Sequence, residues 1–138
     1  MGVVMVLIKD VERVYAQLMR EDCTHLYVGD FQLAVSIFEH GRKLSLSTAI
    51  FDEQGFIPPS VRQVIGRETP AVHFRISTFP SIDEKSGTIR LYYVGSLDHL
   101  DMEDFRFLLE EFVDQAEVWV HFLKDKGTPD LVYIPIYR

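Results

Sequence analysis

The chain has 138 residues, which at roughly 100–200 residues per domain is one domain, and its 47% apolar and 25% charged residues are the proportions of a folded globular protein. Fourteen basic against 21 acidic residues leave a formal net charge of −7, which counts against nucleic acid as a partner, because phosphates call for a basic face. The single cysteine, Cys23, excludes an internal disulfide and fits a reducing compartment.

The apolar run Val3 to Ile8 is far short of the roughly 20 residues that span a bilayer, so no membrane span is expected. No basic residue precedes Lys9, as a signal peptide requires, and Met5-Val6 place no Ser or Thr where a myristoylation motif needs one. A cytoplasmic protein is expected.

A first helix is predicted from Leu7 to Arg20, where Leu7, Val11, Val14 and Leu18 recur at the spacing of one buried face. From Thr24 the period changes to two. Leu33, Val35 and Ile37 alternate with Gln32, Ala34 and Ser36, and Leu44, Leu46, Thr48 and Ile50 alternate with polar or small residues. With turns at Gly29-Asp30 and Glu39 to Arg42, this predicts a meander of three antiparallel strands. Pro58-Pro59-Ser60 opens a short second helix carrying Val61, Val64 and Ile65, and Gly66 stops it. Val72, Phe74 and Ile76 predict a fourth strand, Phe79 to Gly87 a long loop, and Thr88 to Leu97 a fifth strand. Helices and strands are segregated, so the fold class is α+β: helix, three antiparallel strands, short helix, two strands, long helix.

The last helix is predicted from Asp101 to about Lys126, with Asp101 as its cap and Gly127 as its end, leaving residues 127–138 as an extended tail. Phe105, Leu108, Leu109, Phe112, Ala116, Trp119 and Leu123 form its core stripe. At about 100° per residue, Phe107, Val118 and Phe122 fall at about 200°, 220° and 260° from Phe105, an apolar strip on the back of the helix. Either the tail Leu131 to Tyr137 folds back over that strip, or another subunit or a bound client covers it. Between Asp98 and Glu117 eight acids stand against one base, so the rest of the chain sums to zero. Such a face is either simply solvated or matched to a basic partner.

Catalytic and metal signatures are missing. His25, His40, His73, His99 and His121 never fall at a three- or four-residue ligand spacing, and Cys23 with His25 is a weak pair. There is no nucleophile motif and no glycine-rich phosphate loop. The acid pairs Asp52-Glu53 and Asp83-Glu84 read as solvated turns. Neither a cofactor nor an enzymatic activity is expected.

The succession of elements resembles the class I chaperones of bacterial type III secretion. The segment Gly87-Thr-Ile-Arg-Leu-Tyr-Tyr-Val-Gly-Ser-Leu97, an acid-capped helix, and the series Phe105, Leu108, Leu109, Phe112, Val113, Ala116, Trp119 and Leu123 are similar to that family's final strand and helix. Gly29-Asp30-Phe31 before an alternating strand fits the same plan, and the likeness covers residues 6 to 126. YbjN-like proteins share this fold and stand as the alternative, an adaptor or regulatory role. The resemblance implies a homodimer that binds an extended N-terminal segment of a secreted effector without ATP, over apolar patches and by adding a strand to a sheet edge. Candidate partner-binding residues are Tyr15, Met19, Phe31, Phe51, Phe56, Phe107, Val118 and Phe122; the resemblance places the dimer contact at Val61, Val64, Ile65 and Val72.

Overall fold

The computed structural model describes residues 6–72, 74–98 and 100–136, the stretch beyond Gly127 by its backbone alone. The targeting motifs of residues 1–5, the histidines His73 and His99, and the last two residues of the tail lie outside the described residues. Helix α1 (Ile8–Glu21) buries Val11, Val14 and Leu18, the predicted stripe. It ends at Asp22, which takes a left-handed conformation and donates its N–H to the Leu18 carbonyl.

Strands β1 (Cys23–Val28), β2 (Phe31–Phe38) and β3 (Lys43–Asp52) follow as the expected meander. Helix α2 (Pro59–Val64), strands β4 (Phe79–Asp83) and β5 (Thr88–Ser96), and helix α3 (Met102–Ile136) complete the chain. The sheet is antiparallel throughout, in the order β1-β2-β3-β5-β4.

Alternation decides which face is covered. Leu26, Leu33, Val35, Leu44, Leu46, Ile89 and Leu91 are buried and share one core with Val11, Val14 and Leu18 of α1 and Phe112, Ala116, Trp119 and Leu123 of α3. The other sheet face carries the small residues Ala34, Ser45, Ser47 and Ala49 on its middle strands. The fold is therefore two layers, helices on one side of a sheet. A register shift between Ala49 and Phe51 breaks the alternation, and Ile50 and Phe51 are both buried.

Two predicted boundaries are corrected. Val72 and residues 74–76 are not a strand; β4 lies in the stretch expected to be a loop, and joins β5 through a turn in which the Gly87 N–H donates to the Asp83 carbonyl at 2.8 Å. Gly87 needs its positive φ of 67°, and a side chain there would collide with the backbone of Gly55. The stretch from Arg75 to Thr78 is held by α3 rather than by strand pairing. The Gln115 amide donates to the Ile76 carbonyl at 2.9 Å and accepts from the Thr78 hydroxyl at 2.6 Å, while the Arg75 N–H donates to the Glu111 carboxylate at 3.2 Å.

Helix α3 also does not end at Gly127 but continues to Ile136, so among the described residues no extended tail returns over its back. Gly127 serves another purpose. A Cβ there would lie 3.2 Å from Val61 Cγ2, so the glycine admits α2 close against α3. At the other end the expected cap is present, the Asp104 N–H donating to the Asp101 carboxylate at 2.8 Å.

Candidate partner-binding surface

Strand β1 is one edge of the sheet. Its inward residues Thr24, Leu26 and Val28 are buried, and Thr24 is tied to α1 by a 2.6 Å hydrogen bond to Gln17. Nothing in Cys23 to Val28 blunts the edge: there is no Pro, Gly or Lys, the usual devices against strand addition. The opposite edge, β4, is shorter and contains Pro80, which has no N–H to give.

Helix α1 packs beside β1 and leaves a second apolar stripe outside. Tyr15 is 41% exposed and Met19 52%, and Ile8, which sequence reasoning passed over, is 49% exposed on the same helical line. The signal for Ile8 was its seven-residue spacing from Tyr15. An open sheet edge and an exposed apolar line on the neighbouring helix are thus both left uncovered, the line on the side of α1 turned away from the Gln17–Thr24 contact.

Along its middle the back of α3 is partly covered by a third element of its own chain. Glu111 and Gln115, at about 240° and 280° on the same angular scale, lie amid the strip, and the segment around Arg75 to Thr78 binds both. Phe122 is half-buried, its ring edge-on to Trp119 at 5.7 Å and under the Lys126 ammonium at 5.2 Å; Val118 is also half-buried. Phe107, near the helix start, stays 58% exposed. The three residues therefore do not form one continuous open strip. Gln115 is fully buried and was missed in sequence because a glutamine beside a core stripe reads as solvated; its position between Phe112 and Trp119 was the available signal.

Of the candidate dimer residues, Val61 and Val64 are buried inside their own chain, Ile65 is half-buried, and Val72 is exposed in the connection that precedes β4. Phe79, also exposed, stacks on Tyr92 at 5.6 Å. Phe31 and the buried Phe51 line a cleft at the end of the sheet, while Phe56 stands exposed on the lip of a neighbouring hollow.

The acids of α3 crowd one another. Burial first, then the carboxylates of Glu111, Glu117 and Glu110, push Asp114 above the ordinary carboxylate value. Glu110 also accepts the Val6 N–H at 2.8 Å and so ties the start of the described chain to α3. Among the described residues, no three His, Cys, Asp or Glu side chains converge to hold a metal ion, and no helix is long and apolar enough to cross a membrane.

Comparison of the fold defines its class. A chain of the ExsC–ExsE complex superposes with a TM-score of 0.62 at 19% identity, covering 86% of this chain and 97% of that one. A chain of the heterodimeric ExoU–SpcU complex from the type III secretion system of Pseudomonas aeruginosa gives 0.52 at 12% identity, with 74% and 83% covered. The HopA1–SchA chaperone–effector complex gives 0.51 at 13%, with 82% and 91% covered. No protein-family model matches the chain, and no curated protein matches it by sequence. The chain has the α+β fold of the type III secretion chaperones.

Proposed function

We propose that the chain is a cytoplasmic chaperone that acts as a homodimer, holds an extended N-terminal segment of a secreted effector, and needs neither ATP nor catalysis. The observations that carry this reading are the unblunted edge of β1 and the exposed line Ile8, Tyr15 and Met19 on the helix next to it. An added strand would satisfy the free N–H and C=O groups of β1, and a further stretch of the same segment would lie on the apolar line of α1. Backbone pairing then supplies affinity, and the stripe supplies selectivity. The likeness to chains from chaperone–effector complexes supports the same reading.

A dimer contact fits best on the apolar residues left exposed in and after the connection to β4, Val72 and Phe79, and on the half-buried Ile65. Val61 and Val64 act behind that face by packing α2 onto α3.

The test is co-purification from the native cell. One dominant secreted polypeptide is expected with the wild-type chain, lost when its N-terminal segment is deleted and lost with Tyr15→Asp combined with Met19→Asp at unchanged thermal stability. A polypeptide held equally well without its N-terminal segment overturns the mechanism.

A further inference from the structure

We infer that the cleft beside the β1–β2 turn receives a basic stretch, flanked by apolar residues, of the polypeptide that the chain holds; this deepens the function proposed above and rests on it. The cleft, of about 430 Å³, lies between the end of β3 and the flank of α3. Its floor is apolar, made by Phe31, Ile50, Phe51 and Val120. Four carboxylates stand around that floor, those of Asp30, Asp52, Glu53 and Glu117, with Lys124 and His121 as the basic side chains. The cleft runs on into a second, more apolar hollow of about 470 Å³, where Phe56 and Pro58 lie near Gly127; the two share Phe51, Glu53 and Lys124.

The charge here is gathered by the fold. Outside the acidic run from Asp98 to Glu117 the chain has as many bases as acids, yet three of the four carboxylates come from that balanced part. Carboxylates set around a low-dielectric hollow focus their field and favour a cation. An arginine or lysine meets both demands of the site, its stem lying on the aromatic floor while its head pairs with the acids. A polypeptide fits better than a small free cation because the hollow is elongated and its second half is apolar. Position argues the same way. A strand laid along β1 leaves the sheet at Val28, two residues from Asp30 at the mouth of the cleft.

The probe is a blocked hexapeptide of alternating leucine and arginine, titrated into isotope-labelled protein and followed by amide chemical shifts. Saturable shifts are expected around Asp30–Phe31, Ile50–Glu53 and Glu117–Lys124, and none with a twin peptide carrying glutamate for arginine. Asp52→Asn combined with Glu117→Gln is expected to weaken binding by about tenfold, the effect of two partly exposed ion pairs. Glu12→Gln combined with Asp98→Asn, which removes the same charge elsewhere, leaves it unchanged. Shifts confined to the first turns of α3, equal binding of the twin, or an unaltered affinity of the cleft variant overturns the inference. Native co-purification separates the two proposals. A partner still held by wild-type protein whose cleft ignores the peptide sinks the cleft alone, whereas no partner at all sinks the holding function whatever the peptide does.

Discussion

Replacing Gln115 with leucine tests how the connection before β4 is held. The two side chains are close in size, so the change leaves little void and removes mainly polar contacts. Two hydrogen bonds disappear, the 2.9 Å bond to the Ile76 carbonyl and the 2.6 Å bond from the Thr78 hydroxyl. At about 1 kcal/mol each, with a further cost for a carbonyl left unpaired beside the core, the loss comes to roughly 2–3 kcal/mol. In a domain of this size that lowers Tm by roughly 6–12 °C. Thr78→Val alone removes one of the bonds, and in a double-mutant cycle the pair should be non-additive by about 1 kcal/mol. The assay is urea unfolding of the four variants, with hydrogen exchange to locate the effect. Amides of residues 74–78 should lose protection before those of β3 and β5. A loss below about 0.5 kcal/mol, the range of an ordinary surface substitution, would refute the reasoning; so would strict additivity with Thr78→Val.

Phe112→Ala and Trp119→Ala should each cost about 3–5 kcal/mol in chemical denaturation, since both side chains are buried in the shared core. Phe107→Asp should leave stability within about 0.5 kcal/mol because the ring is largely exposed. Phe122→Asp should cost roughly 1–2 kcal/mol by losing the contacts to Trp119 and Lys126. Asp114 is raised above its unfolded value, so its contribution to stability is present below about pH 3.8 and is lost as pH rises through the folded value. Asp114→Asn should therefore stabilise the protein at pH 7, first by removing the cost of burying the charge and then by relieving three like-charge neighbours, and the advantage should vanish below about pH 3.8 in thermal melts. Val72→Glu combined with Phe79→Glu should halve the mass measured by light scattering without changing the circular dichroism.

Periodicity made most of the architecture readable. The stripe Val11, Val14 and Leu18, the alternation of β2 and β3, and the series from Phe105 to Leu123 all lie where an apolar face demands them. What escaped was set by contacts distant in sequence. Residues 72–76 alternate like a strand, but their partners are Gln115 and Glu111 of α3, which no local pattern reveals. Gly127 reads as a stop locally, whereas its neighbour Val61 explains it by close packing. Strand β4 contains Pro80, which an edge strand tolerates, so only its place at the sheet edge makes it readable as a strand. The candidate surface divides in the same way. Tyr15 and Met19 could be found as apolar residues off a helical core stripe, but the cleft near Asp30 is assembled from a turn, a strand end and a helix flank.

The central claim, that the open side of β1 and α1 exists to hold another polypeptide, is tested most directly by native mass spectrometry of the chain isolated with its partner, followed by protease protection. The account expects two copies of the 16.0 kDa chain with one secreted polypeptide, whose protected stretch is its N-terminal segment. A single bare copy of the chain, with no polypeptide bound, would contradict it.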